Sequence, residues 1–194
     1  MGMRSALESV DPDPLREKSL SGDRATPGFV VQRLRPELWR NWRDLRLRAL
    51  ADAPRAFAST YAEDIQLSSN IWRQRASAFG ASAGGRAMFV ATDLADAEWI
   101  GCAGGLVGVG GTPELIAVWV APEHRRRGVG RALVEAVIGW ARAAGYERLR
   151  LDVVHGLGAA SALYLRMGFR LTGRSRPLAR NRDLLADEMV LQLR

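Results

Sequence analysis

The chain has 194 residues, 47% hydrophobic and 25% charged, with a formal net charge of +7 from 28 basic and 21 acidic side chains. This balance excludes a wholly disordered chain, and no apolar run approaches the ~18 residues of a membrane-spanning helix. A single cysteine, Cys102, excludes an internal disulfide framework and a cysteine-built zinc site, and with only His124 and His155 no metal centre is expected. Lys18 is the only lysine, so nearly all the positive charge is arginine, whose planar fork matches phosphate oxygens.

Residues 1–28 carry little apolar content and read as a flexible tail containing the turn-like Asp11-Pro12-Asp13-Pro14. Met1–Ser9 lacks the apolar core of a signal peptide, so the expected location is cytoplasmic. Residues 29–194 read as one domain. Phe29–Leu34 is the first strand, and Pro36 opens a helix where its missing N–H costs nothing. Leu38, Trp42, Leu45, Leu47 and Ala49–Leu50 give that helix an apolar stripe, and Asp52-Ala53-Pro54 ends it. Ser59–Ala78 is helical with a break near Ser68-Ser69, and Gly84-Gly85 is a turn. Ala87–Thr92 and Trp99–Val109 are neighbouring strands, followed by the strand Glu114–Val120, which Pro122 stops. Gly128–Ala144 is an amphipathic helix with Val129, Leu133, Ala136, Val137, Trp140 and Ala144 on one face, capped by Gly145. Strand Arg148–Val154, helix Ala159–Met167 with its cap Gly168, and strands Phe169–Thr172 and Glu188–Leu193 complete the order. The pattern predicts an α/β fold with a mixed sheet rather than an alternating doubly wound one.

The chemistry concentrates where strand Glu114–Val120 runs into Arg125-Arg126-Arg127-Gly128-Val129-Gly130-Arg131 and then into a long helix. A helix N-terminus leaves backbone N–H groups unpaired and carries about +0.5 charge. Gly128 and Gly130 let an anion approach those groups, and the arginines add positive side chains, so the expected ligand is a pyrophosphate. A basic triplet is also compatible with a solvated face or a nucleic-acid patch. The P-loop motif is absent, and Gly128-Val129-Gly130 is followed by Leu133 where the dinucleotide fingerprint needs a third glycine.

Arg125-x-x-Gly128-x-Gly130 resembles the Arg/Gln-x-x-Gly-x-Gly/Ala signature of the GNAT superfamily of acyl-CoA N-acyltransferases. Downstream, Ala160-Ser-Ala-Leu-Tyr164-Leu-Arg-Met-Gly168-Phe169 is similar to a second segment of that family. The resemblance spans about residues 29–194 and implies a mixed, mostly antiparallel sheet with two splayed parallel strands, here Glu114–Val120 and Arg148–Val154, flanked by helices. It implies acetyl-CoA as cosubstrate, its pantetheine arm on backbone groups of Val118, Trp119 and Val120, and its pyrophosphate on the amides from Arg126 to Arg131.

The implied reaction is direct attack of a primary amine on the thioester in a ternary complex. Tyr164 matches the acid that meets the departing thiolate, and an alkaline limb in the pH–rate profile is expected from it. Glu114 is the expected general base and His155 the competing one. Backbone N–H near Val120 is expected to polarise the carbonyl. Where the family often carries an asparagine that binds the cofactor, this chain has Leu157, and Ser161 is the candidate substitute. Phe57 and Tyr61 are candidate acceptor contacts, and Cys102 reads as a small core residue.

Leu157 keeps open a non-catalytic acyl-CoA-binding module as the alternative. A nucleic-acid binder would need arginines interleaved with aromatics over a continuous surface, so neither nucleic acid nor membrane is expected as a partner. The acceptor is expected to be a small-molecule amine rather than a protein. The positive surface favours one that also carries a carboxylate or phosphate, and exposed sheet edges allow a homodimer.

Overall fold

The computed structural model describes residues 28–81, 85–108, 110–156, 158–177 and 184–194. The expected tail therefore lies outside the described residues except for Gly28, whose carbonyl accepts from the Leu94 N–H at 2.9 Å. Leu157 lies outside them as well.

The elements follow the residues that start and stop them. β1 is Phe29–Arg33; Pro36 then opens a single turn that leads into α1, Trp39–Asp52. The helical stretch after it divides as expected, into α2, Tyr61–Asp64, and α3, Ser69–Gly80. Thr60 and Glu63 form a reciprocal capping box at the start of α2, and the Ser68 hydroxyl caps α3. β2 (Arg86–Asp93), β3 (Trp99–Val107) and β4 (Pro113–Val120) precede α4 (Val129–Ala143). β5 (Arg148–Val154), α5 (Gly158–Arg166), β6 (Arg170–Pro177) and β7 (Leu185–Gln192) complete the chain. β6 and β7 are longer than their apolar patterns suggest: every residue of β6 is exposed, so nothing alternates along it.

The seven strands form one sheet in the order β1-β2-β3-β4-β5-β7-β6. Every neighbouring pair is antiparallel except β4 and β5, which run parallel and share a single paired position, Glu114 with Arg150. α4 covers one face through Val129, Leu133, Val134, Val137, Ile138 and Ala141, all buried. α1 and α3 cover the other, where Trp42 meets Trp72 edge-on with ring centroids 5.4 Å apart. Glycine sets how closely α4 approaches: a Cβ at Gly105 of β3 would lie 2.3 Å from the Trp140 ring.

β4 is bent by one extra residue. Cys102 pairs with Trp119 but Gly104 pairs with Ile116, and Ala117 takes up the difference at φ +54°. Side chains alternate across a strand, so the bulge reverses which residues face α4. Leu115 packs on the α4 side before it, Val118 and Val120 after it, while Trp119 joins the core under α1. Beyond Glu114 the β5-facing edge of β4 has no strand partner among the described residues, so the two strands part toward their C-terminal ends.

Candidate active site

The parted strands open beside the N-terminus of α4. The first helical bond runs from the Ala132 N–H to the Gly128 carbonyl, so the helix supplies no partner for the amides of Val129, Gly130 and Arg131. Arg126 at φ +66° and Gly128 at φ +86° turn the chain into this approach. No atom lies within 4 Å of a Cβ built at Gly128, leaving open space beside the amides. A Cβ at Gly130 would meet Leu163 of α5 at 3.5 Å and Val120 at 3.6 Å, so α4, α5 and the end of β4 converge there. Unpaired amides, a positive helix end and open space form a donor set that fits a pyrophosphate.

The arginines of the loop have separate tasks. Arg125 donates Nε to the Val120 carbonyl at 2.9 Å and a terminal nitrogen to Asp52, which also accepts from Trp119 Nε1 at 2.8 Å. The Val120 carbonyl is thus already engaged by Arg125. Arg127 Nη1 lies 2.7 Å from His124 Nδ1 and 3.4 Å from Asp93. The Ala95 N–H, against the opposing effect of burial and with help from Arg127 and His124, holds the Asp93 carboxyl below its usual range. Arg131 pairs through Nε with Glu135 at 2.8 Å. Among the described contacts Arg126 alone of the four has no carboxylate partner.

The sheet separates the two candidate bases. Glu114 lies on the parity opposite Leu115, and Arg150 and Asp152 opposite Leu149, Leu151 and Val153, so all three face away from α4. The Glu114 carboxylate accepts from Arg150 at 2.9 Å and lies 3.6 Å from Arg176; Arg150 also reaches Glu188 at 3.1 Å, and Arg176 holds Asp152. His155 and Asp187 continue the parity of Val153 and Met189, on the α4 side. They meet at 2.7 Å, and the Ser175 hydroxyl and His155 ring hold the Asp187 carboxyl below its usual range.

Tyr164 is 8% exposed, its ring 5.8 Å from Phe169, and burial alone pushes its hydroxyl pKa well up. Ser161 is half-buried one turn earlier on α5. Phe57 carries the Arg46 guanidinium 4.3 Å above its ring, and the turn Pro54–Ala56 before it packs against β5. Tyr61 opens α2 and is exposed. Cys102 is buried, its thiol pushed up to about 11 by desolvation, as fits a core residue. Sequence reasoning missed Asp52 and Asp93, which anchor Arg125 and Arg127: each lies far from the motif along the chain, so spacing carried no signal.

A mixed sheet whose two parallel strands part beside a glycine-lined helix N-terminus is the frame of an acyl-CoA N-acyltransferase. Residues 32–169 match the model of the acetyltransferase (GNAT) family, and the chain belongs to that family. It is similar to human N-acetyltransferase 8 (Homo sapiens), 44% identical over 62 residues, which is 32% of this chain and 27% of that protein. The matched stretch thus spans about a quarter of the relative's length. Among solved structures it resembles yncA of Salmonella typhimurium, a candidate acetyltransferase with its cofactor acetyl-CoA. The TM-score is 0.69 at 20% identity over 86% of this chain and 95% of that one. It also resembles the ribosomal-protein-S18-alanine N-acetyltransferase of Escherichia coli, with a TM-score of 0.58 at 24% identity over 85% and 94% of the two chains.

Proposed function

We propose that this protein moves the acetyl group of acetyl-CoA to a primary amine by direct attack in a ternary complex. The observation that carries the reading is the pair of parted parallel strands opening beside the unpaired amides of Val129, Gly130 and Arg131. The unpaired edge of β4 suits a pantetheine arm, and the amides with Arg126 suit the pyrophosphate. The structural likeness to yncA, which holds acetyl-CoA, supports the same choice.

Glu114 is the proton acceptor in this reading. It is half-buried at the apex of the opening, on the face that carries α1 and the Phe57 rim, so an amine arriving from that face meets it or a water it holds. Arg150 and Arg176 fix the carboxylate in place. Backbone N–H near Val120 polarises the thioester carbonyl, and the Tyr164 hydroxyl gives its proton to the departing sulfur. No enzyme nucleophile is required, in keeping with a single buried thiol. Phe57 and Tyr61 line the acceptor side, and the acceptor is a small amine, favoured when it also carries a carboxylate or phosphate.

The test is a CoA-release assay across an amine library, followed by variants on the best acceptor. Glu114→Gln is expected to lower turnover ~100–10,000-fold while acetyl-CoA affinity, measured by calorimetry, is retained. If Glu114→Gln turns over normally and His155→Ala does not, the base is His155, oriented by Asp187.

A further inference from the structure

Asp152 takes no part in the steps above. It stands on β5 two residues beyond Arg150, the position paired with β4, so it lies where the strands part. Its side chain shares the face of Glu114, and the turn Pro54–Ala56 that leads to Phe57 packs against the same strand. A second carboxylate thus lies on the acceptor face of the opening.

One of its oxygens is unsatisfied. Arg176 brings Nε, at 3.0 Å, and a terminal nitrogen to Oδ2 alone, instead of spreading its fork over both oxygens. Oδ1 is the single buried carboxylate oxygen among the described residues that accepts no hydrogen bond. Such an atom is costly, so the arrangement has capacity for one more N–H donor. The charges point the same way. Among the described ion pairs at this opening, three carboxylates (Glu114, Asp152 and Glu188) share two guanidiniums, Arg150 and Arg176, while Arg174 acts on Glu188 from beyond ion-pair distance. A chain of net charge +7 therefore keeps a carboxylate in excess here, which favours a cationic ligand over a neutral one. Arg176 is the displaceable member: its side chain is half exposed, it belongs to the edge strand β6, and it lines an open cleft with Gly173, Arg174, Ser175 and Glu188.

Resting on the acetyl-transfer reading above, we propose that Asp152 receives the acceptor's ammonium and makes the enzyme select amines that arrive as cations. The ammonium takes the place of the Arg176 guanidinium and donates one N–H to Oδ1. Arg150 still holds Glu114 through Oε2, at 2.9 Å, while departure of Arg176 leaves Oε1 of Glu114 open to the amine or a water. Loss of one proton to that oxygen frees the nitrogen lone pair for the thioester, and Asp152 keeps a remaining N–H directed.

The experiment takes the best acceptor from the amine library and its counterpart with a hydroxyl in place of the ammonium. Both are titrated calorimetrically into the full chain saturated with CoA, which cannot transfer acetyl, for the unaltered protein, Asp152→Asn and Asp152→Glu. The unaltered protein is expected to bind the amine about tenfold more tightly or better, the size of a charge-assisted contact. Asp152→Asn is expected to erase most of that preference and Asp152→Glu to keep part of it, with affinity for the hydroxyl counterpart and for acetyl-CoA retained. In turnover, Asp152→Asn should raise the acceptor KM more than it lowers kcat. Equal affinity of the unaltered protein for the two ligands overturns the inference, as does an Asp152→Asn protein that discriminates as well as the parent. Loss of both ligands together in Asp152→Asn makes the residue structural and overturns it too. In each case acetylation by the unaltered protein leaves the acetyl-transfer reading intact, whereas acetylation of no amine overturns both.

Discussion

Tyr164 shows what burial does to a single group. Desolvation disfavours the phenolate, so burial holds the hydroxyl in its protonated form above neutral pH. The sign matters for kinetics: a raised acid pKa moves its deprotonation out of the ordinary assay range. If Tyr164 is the acid, its alkaline limb should therefore lie above the range of an unperturbed tyrosine, and a pH–rate profile of the parent checks this. Tyr164→Phe should still reduce turnover, with less effect on a thioester of a more acidic thiol, while the melting temperature changes little. Equal impairment with both donors would make Tyr164 a positioning residue instead. Gly128 shows the other side of residue-scale reasoning. Its φ of +86° strains any side chain, yet the space around it is empty, so Gly128→Ala should fold with about 1 kcal/mol lost and bind acetyl-CoA markedly more weakly. Unchanged affinity in the folded variant, read by calorimetry, would move the pyrophosphate elsewhere. The glycines were legible in the sequence because their spacing is local.

Between elements, the informative contacts are those that spacing conceals. Asp52, at the last turn of α1, accepts from Trp119 of β4 and from Arg125, 73 residues away in sequence. It ties α1 to the first residue of the glycine loop and, through Arg125, to the Val120 carbonyl. Asp52→Ala should raise the acetyl-CoA KM several-fold with a smaller change in kcat, and Asp52→Glu should restore part of it; an unchanged KM would reduce Asp52 to a surface tie. A second concealed node pins the rim. Asp64, 1% exposed, accepts from Arg75 at 3.2 Å and Ser59 at 3.1 Å and pairs with Arg46, which carries Phe57. Removing one partner of a buried ion pair leaves a charge uncompensated, so Asp64→Ala should cost about 3–5 kcal/mol in chemical denaturation, and a loss below about 1 kcal/mol would contradict the node. The strands and helices themselves were readable from apolar period and capping residues. β6 was not, because an edge strand exposed along its whole length has no alternation to read. The bulge at Ala117 was also hidden, since nothing in an apolar run marks a residue that pairs with no one.

At the scale of the molecule, sequence order yields strands and helices, whereas function depends on which strands become neighbours. The parallel pairing of β4 and β5 needs α4 to cross between them, and their divergence needs the bulge that turns Val118 and Val120 toward α4. These features are tertiary, so the resemblance of two short motifs implied the opening where periodicity was silent. The sheet separates two sets of groups: the N-terminus of α4 and Tyr164 on one face, Glu114 and Phe57 on the other. In the proposed reading, donor and acceptor meet through the gap between the strands. The measurement that tests this account most directly is amine-dependent release of CoA from acetyl-CoA by the full chain, with the acetylated amine identified by mass. The account predicts one acetylated amine for each CoA released, suppressed by Glu114→Gln without loss of acetyl-CoA binding. Tight acetyl-CoA binding with no amine-dependent release across the library, or release that Glu114→Gln and His155→Ala both leave untouched, would contradict it.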